Sequence, residues 1–208
     1  MSQATISRYL PRQRSNPNQT WKTFIRNHMD CAGAIDFFVV PALTFRVLYV
    51  AVILNLERRR LVHLAVIANP TAEWTVQQVT EAFPWEVAPR HLIRDQECKY
   101  GAIYKYRLDA MGTVDKPVAP RAPWQNAYVE RVIGTLRREC LDHVIVGNER
   151  HLRRILNLYM AYYNHLRSHL YLNKDPPIHR PISQQLNGRD VSFPEVGGLH
   201  HRYERIAA

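Results

Sequence analysis

The sequence is poor in cysteine, and its cysteines are spaced in a way that narrows the class of protein. Its 208 residues include three cysteines, Cys31, Cys98 and Cys140, with no CxxC pair among them. An odd, widely spaced set does not make a disulfide framework, so the chain fits a reducing cytoplasm. The stretch "HMDC" at 28–31 has a ligand-like spacing, but no second pair follows at zinc spacing, and we interpret it as a chance match.

The sequence also lacks a segment suited to entering or crossing a membrane. Residues 1–15 contain no apolar core of the kind that a signal peptide requires. The longest apolar run, at 47–56, is too short to span a bilayer and is followed by "ERRR". We therefore predict a protein without membrane contacts.

Positive charge, in contrast, is abundant. Lys and Arg total 28 against 18 Asp and Glu, a formal net charge of +10, while 46% of the residues are hydrophobic and 22% are charged. This composition is typical of a globular protein, and its charge concentrates polyanions around it. Nucleic acid is the expected partner, and a basic protein with no such partner is the alternative.

Apolar runs, periodicity and turn residues predict an α/β fold. Strands are expected at 34–40, 44–55, 59–68, 90–95 and 113–119. Helices are expected at 70–83, 101–112, within 119–140, and at 148–170. This order predicts a mixed five-stranded sheet flanked by helices. Residues 20–28 fit either a short helix or an extended lead-in, and the tail from 174 is expected to be irregular.

Two aspartates stand in unusual positions on the predicted strands. Asp36 lies inside the apolar run "AIDFFVV", where an uncompensated carboxylate loses several kcal/mol of hydration energy. Asp95 ends the strand "RHLIRD", and the carboxyl ends of strands are where open α/β sheets place ligands. If the two strands are neighbours, the carboxylates approach each other and a divalent cation relieves their repulsion. The alternative for Asp36 is a carboxylate bonded to backbone amides.

A third acid, Glu130, lies on the helix within 119–140. At 100° per residue it shares one line of the helix with Asn126, Gly134 and Arg137. An adjacent apolar stripe is expected to dock the helix on the sheet, and it consists of Val129, Ile133, Leu136 and Cys140. Glu130 would then lean toward the aspartates. The alternative is a solvated glutamate paired with Arg131 or Arg137.

These stretches together resemble a known family. The segments are "AIDFF" around Asp36, "LIRDQECKYG" around Asp95, "APRAPWQNAYVERVIGTLRRE" around Glu130, and "YYNHLRSHLYLNKDPP" from residue 162. They are similar to the integrase-core transposases of bacterial insertion sequences, relatives of retroviral integrases with a DDE triad on a ribonuclease H-like fold. The resemblance covers residues 30–182. It departs after Asp95, where the turn glycine of the family is absent and Glu97 offers a competing carboxylate.

The resemblance implies a DNA transposase or integrase that cleaves and transfers DNA strands. Asp36, Asp95 and Glu130 would be both the catalytic residues and the ligands of two Mg²⁺ ions, with Mn²⁺ as an alternative. Transposon ends and target DNA would be the partners of a homo-oligomer. The residues expected to contact DNA are Arg121, Gln125, Asn126, Arg131, Arg137 and Arg138. A solvated face is the alternative for Arg137 and Arg138.

The domain organisation follows from the same comparison. Residues 1–10 resemble the recognition helix of a helix-turn-helix domain, 11–29 form a basic linker, 30–182 form the catalytic core, and 183–208 form the tail. We expect the two helices that precede a recognition helix to be missing, and with them the specific recognition of an element's ends. Two rival functions stay open: a nuclease on the same fold, and a decayed transposase fragment that binds DNA without catalysis.

Overall fold

A mixed five-stranded sheet forms the centre of the computed structural model, which describes residues 19–84, 88–96, 100–181 and 188–206. Its strands are β1 Ala32–Pro41, β2 Val47–Asn55, β3 Arg60–Ile67, β4 His91–Arg94 and β5 Val114–Pro117. They lie in the order β3-β2-β1-β4-β5, with β1 antiparallel to β2 and parallel to β4. The predicted five-stranded sheet is confirmed, and Pro117 lies on an edge strand, where its missing N–H does no harm.

Five α-helices accompany the sheet in the described part of the chain. They are α1 Trp21–His28, α2 Ala72–Ala82, α3 Ala102–Ala110, α4 Ala127–Glu139 and α5 Glu149–His165. Residues 21–28 are thus helical rather than extended, with the Thr20 hydroxyl capping α1 by accepting from the Thr23 N–H. Helix α5 ends at His165, short of the predicted residue 170, because the chain turns back there. The predicted helix at 2–10 and most of the linker lie outside the described residues.

The sheet is covered on both faces, and strand alternation decides which residues meet which helices. Helices α4 and α5 pack on the face that carries Ala34, Phe38 and Ile93, whereas α2 and α3 pack on the opposite face. Asp36 and Asp95 have the same parity as these residues along β1 and β4. Both aspartates therefore belong to the face that α4 covers. The stripe predicted to dock α4 is buried throughout: Val129, Ile133, Leu136 and Cys140.

A half-buried ion pair joins α4 to the segment after α5. Arg167 donates to both carboxylate oxygens of Glu139, at 2.6 and 2.7 Å, and the Tyr159 hydroxyl donates to the same group at 2.9 Å. Burial alone would raise the pKa of Glu139, but the bonds and charge of Arg167 outweigh it and hold that pKa below its ordinary value. The pair holds the segment that follows α5 against the end of α4.

The prediction of an irregular C-terminal tail is wrong for residues 189–206. They form an antiparallel hairpin of β6 Arg189–Glu195 and β7 His200–Ile206. Gly197 and Gly198, with φ of 68° and 94°, make the turn, so the glycines that suggested irregularity are the hairpin connection. His200 anchors the hairpin to the core, since its ring stacks on Tyr162 with centroids 4.3 Å apart and donates to the Glu139 carbonyl at 2.9 Å.

The half-buried His169 should make stability depend on pH. Burial first, and the neighbouring Arg167 charge second, lower its pKa to about 4, with Arg59 acting in the same direction and Glu139 opposing. Because the folded pKa lies below the unfolded value of about 6.5, the unfolded chain takes up the proton first as pH falls. Stability should therefore be intact near pH 7 and decline between about pH 6.5 and 4, by ~1–2 kcal/mol after allowance for solvent screening.

Urea unfolding from pH 7 to 5 checks this dependence. His169→Gln should flatten the slope of unfolding free energy against pH, whereas His165→Gln, at an exposed position, should leave it unchanged. An unaltered slope in His169→Gln would contradict the assignment.

No helix in the described residues is both long enough and apolar enough to cross a bilayer.

Candidate active site

One pocket is lined by all three acids that the sequence singled out. It has a volume of about 460 Å³ and lies between the middle of β1, the end of β4, the segment after β5 and the start of α4. Asp36, Asp95 and Glu130 come from three different elements of the fold. The other lining residues are Gln96, Val118, Ala119, Pro120, Arg121, Ala122, Pro123 and Asn126.

Parallel pairing of β1 with β4 brings the two segments that carry the aspartates together. Ala34 pairs with Ile93, and Asp36 and Asp95 each follow two residues later, Asp95 directly after the end of β4. The condition set by the sequence, that the two strands be neighbours, is confirmed. Asp36 is half-buried, and its Oδ1 accepts a hydrogen bond from the Phe37 N–H at 2.8 Å, which offsets part of its lost hydration.

Glu130 reaches the pocket from the first turn of α4 and is exposed. A positive helix N-terminus favours a carboxylate at this position. The expected alternative, a surface pair with an arginine, is not seen: among the described residues no ion pair includes Glu130. Arg137 instead donates to the Val39 carbonyl at 3.0 Å and lies over the Phe38 ring.

The start of α4 is tied to β1 through Asn126. Its side-chain amide donates to the Ile35 carbonyl at 3.2 Å, directly before Asp36, and the residue is only 3% exposed. Its Oδ1 is buried and has no hydrogen-bond partner among the described residues. The prediction that Asn126 contacts DNA is corrected by this burial: its side chain holds Glu130's helix against the strand of Asp36.

Two glutamines hold the loop that forms the pocket wall. Gln125 Oε1 accepts from the Ala119 N–H at 2.7 Å, and Gln96 Nε2 donates to the Val118 carbonyl at 2.8 Å. This bond uses only the Oε1 of the half-buried Gln125, and the DNA contact expected of Gln125 stays a prediction. Gln96 was not selected from the sequence, where it appeared only as part of a turn lacking glycine. The remainder of that turn, residues 97–99, lies outside the described residues.

A largely buried ion pair fixes the backbone of Asp95. Arg94 binds Asp115 of β5 through two hydrogen bonds of 2.8 Å, and its Nη1 donates to the Asp95 carbonyl at 2.9 Å. The two side chains are 14% and 12% exposed. Burial lowers the pKa of Arg94, but the bonds and charge of Asp115 raise it by more, so the guanidinium stays charged. The sequence offered no signal for this pair, because it depends on β4 and β5 being neighbours.

The predicted DNA-contacting arginines lie at and beyond the pocket rim. Arg121 is exposed at the wall of the pocket and has a positive φ of 61°. Arg131 and Arg138 are exposed on α4. The Arg138 guanidinium covers Gly134, since a Cβ built on that glycine would lie 3.1 Å from Nη1. Arg137, half-buried and bound to Val39, presents less of its charge to solvent.

The carboxylate oxygens of Asp36, Asp95 and Glu130 do not all lie within 4.8 Å of one another in this structure. Among the described residues, the one group of three potential ligands with all atoms within 4.8 Å is His28, Cys31 and His91.

Sheet order, helix placement and the acidic pocket define a ribonuclease H-like α/β fold. Residues 113–177 match the family model described as "Integrase core domain". The resemblance inferred from the sequence is thereby confirmed for this segment, which contains Glu130. No curated protein matches the chain.

Solved structures with the same fold include retroviral integrases. A chain of the simian T-cell lymphotropic virus intasome, in complex with the PP2A regulatory subunit B56 gamma, matches with a TM-score of 0.59 and 13% identity. The match covers 84% of this chain and 66% of that one. The HTLV-2 integrase catalytic core domain, a dimeric form with magnesium, matches with a TM-score of 0.50 and 11% identity, over 67% of this chain and 90% of that one. At these identities the matches show the fold.

Proposed function

We propose that the chain is a polynucleotidyl transferase that cleaves DNA strands and joins them to a target. The observation that carries the proposal is the single pocket lined by Asp36, Asp95 and Glu130. Three carboxylates from separate elements, at the surface of a protein with a net charge of +10, are suited to holding metal ions beside a polyanion.

The donor set suits Mg²⁺, with Mn²⁺ as an alternative. Hard divalent cations prefer oxygen ligands, and the pocket offers three carboxylates together with the unpartnered Oδ1 of Asn126. Two ions held by Asp36, Asp95 and Glu130 would activate a water or a DNA 3′-hydroxyl and stabilise the leaving oxygen of an in-line displacement. The protein's own part is to keep the carboxylates ionised and correctly spaced.

Rigid supports around each acid serve that spacing. Asp95 is held through Arg94, Asp36 through the Phe37 amide, and the helix of Glu130 through Asn126. Ligands whose positions are fixed before binding need little reorganisation when substrate arrives. The two glutamines that bind the wall loop belong to the same support.

DNA would approach along the exposed arginines of the pocket rim and α4. Arg121, Arg131 and Arg138 are the principal candidates for phosphate contacts, and Arg137 contributes its charge from a half-buried position. We assign Asn126 to positioning, and the DNA contact expected of Gln125 stays a prediction. The neighbour described as an intasome and the one described as dimeric support assembly of this chain as a homo-oligomer on DNA.

An assay with end-labelled duplex DNA and an unlabelled plasmid tests the proposal. With Mg²⁺ or Mn²⁺, we expect label to become joined to the plasmid, and EDTA should abolish the product. Shortened label without joining would instead indicate a nuclease. Salt-sensitive DNA retention without either product would indicate a fragment that only binds DNA, and would overturn the proposed activity.

A further inference from the structure

A second group of potential metal ligands lies away from the acidic pocket. His28 is the last residue of α1, Cys31 ends the 3-10 turn Met29–Cys31, and His91 is the first residue of β4. One ligand atom from each lies within 4.8 Å of the others, and no other group of three in the described residues meets this condition. The sequence contained the "HMDC" spacing, but not the partner from residue 91.

The fold itself brings the third ligand to the other two. Ala32, which follows Cys31, pairs with His91 in the parallel register of β1 and β4. The Arg90 N–H donates to the Cys31 carbonyl at 2.8 Å, which fixes the two strand starts side by side. Helix α1 is held above them by its buried Phe24. The grouping therefore depends on the sheet and not on a mobile surface.

His91 carries the second observation. It is only 8% exposed, and neither of its ring nitrogens has a hydrogen-bond partner in the described part of the chain. A buried polar group without a partner is destabilising, and an ion or water is the usual resolution. Burial, and then the charge of His28, lower the pKa of His91, which favours the neutral ring.

Aromatic packing alone does not account for this arrangement. The His91 ring stands 4.7 Å from that of His28 and 5.2 Å from that of Phe24, centroid to centroid, and both contacts are edge to face. Such packing stabilises the apolar part of a histidine ring, but a phenylalanine at position 91 would make the same edge-to-face contacts. It therefore gives no reason for the two ring nitrogens. Two imidazoles and a thiol at one point combine the side chains that bind Zn²⁺ most often.

We propose that His28, Cys31 and His91 bind one zinc ion that fastens α1 to the start of the sheet. Imidazole and thiolate are ligands that select Zn²⁺ over Mg²⁺, so this site would not compete for the ions of the acidic pocket. On binding, the Cys31 thiol releases its proton to solvent and its sulfur forms the bond to zinc. The thiol now donates to the His28 carbonyl at 3.5 Å and would give up this bond, and a water would complete four-coordination.

The required closure is small. With Zn–N and Zn–S bonds of about 2.0–2.3 Å, tetrahedral ligand atoms stand roughly 3.3–3.8 Å apart. The ligand atoms now lie within 4.8 Å of one another, so side-chain rotations that shorten these distances by about 1 Å would suffice. His91 also begins the strand that ends beside Asp95, four residues further on, so the two sites are separated by about 13 Å along β4.

Cobalt substitution tests the site independently of catalysis. The full chain, freed of metal and titrated with Co²⁺ in excess Mg²⁺, should bind one equivalent with visible bands of tetrahedral Co²⁺ and a thiolate-to-cobalt charge-transfer band. Zinc should displace it. Cobalt bound in the acidic pocket has only oxygen ligands and cannot give the thiolate band. The cobalt result is therefore independent of the DNA assay, and either proposal can fail while the other stands.

Variants assign the ligands. Cys31→Ser should abolish the charge-transfer band, and His28→Gln, at the half-buried end of α1, should weaken Co²⁺ binding at least tenfold. The matched control is Cys98→Ser/Cys140→Ala, which leaves Cys31 as the one thiol and should keep the band. If His91→Gln does not fold, the first two variants still decide the question. Absence of the band in the wild-type chain, or its persistence in Cys31→Ser, would overturn the proposal.

Thermal unfolding supplies a second measurement. Zinc at a hundred times its Kd should raise the Tm of the wild-type chain by about 5–10 °C and leave that of Cys31→Ser unchanged. An equal rise in both proteins would mean that zinc acts elsewhere, and would also overturn the proposal.

Discussion

Glu130→Gln is expected to abolish metal-dependent DNA cleavage while DNA binding stays measurable. Glutamine keeps the shape and the exposed helical position of Glu130 but removes the charge that holds a cation. Removal of one electrostatic stabiliser from an active site costs ~10²–10³-fold in rate, and loss of a metal ligand should reach at least that range. Gel-shift and cleavage measurements on the same preparation would check both halves of this expectation.

Glu73→Gln is the matched control for Glu130→Gln. Glu73 is also exposed and also lies in the first turn of a helix, α2, so its replacement removes an equal charge and an equal interaction with a helix N-terminus. It is remote from the pocket and should retain wild-type cleavage. Wild-type rates in both variants would remove Glu130 from the catalytic site, whereas an equal loss of rate in both would point to net charge as the cause.

Local patterns were sufficient to predict the sheet and the docking of α4. Strands such as β2 are continuous apolar runs, and the stripe on α4 repeats every three to four residues, so both are defined by neighbouring residues in the chain. Asp36 was found because it interrupts such a run. The Pro- and Gly-containing hairpin of β6 and β7 was missed, since its strands are mostly exposed and lack an apolar run.

The supporting contacts of the site could not be predicted for a different reason. Arg94 meets Asp115, and Cys31 meets His91, only because β4 lies between β1 and β5. Such contacts depend on strand order and register, which a single sequence does not specify. In the sequence alone, polar residues such as Arg94 and Asp115 therefore cannot be distinguished from ordinary surface residues.

The turn after Asp95 lacks the glycine usual in the family, and this absence favours the rival hypothesis of a decayed transposase fragment. The described residues of that turn, Asp95 and Gln96, have backbone conformations that do not require a glycine. Neither Asp95 nor Gln96 is among the described residues with positive φ, and Gln96 uses its side chain to bind the wall loop. Loss of the glycine is therefore compatible with a formed pocket, and the rival fragment hypothesis loses part of its basis.

Asp115→Asn should cause the largest loss of stability among single substitutions near the site. It leaves the Arg94 guanidinium buried without its counter-charge, and breaking a buried ion pair from one side costs ~3–5 kcal/mol. For a chain of this size we expect Tm to fall by about 6–20 °C. Asp190→Asn is the control, since Asp190 binds Arg205 through two similar bonds but is well exposed, and its Tm should hardly change.

A double variant separates stability from the placement of Asp95. Arg94→Met/Asp115→Leu replaces the buried pair with apolar side chains of similar size, which restores much of the lost stability when such pairs are exchanged. It also removes the bond from Arg94 to the Asp95 carbonyl. If that bond positions the catalytic aspartate, the double variant should regain Tm but not DNA cleavage. Recovery of both would show that the ion pair serves the fold alone, and that Asp95 keeps its place through the register of β4 with β1.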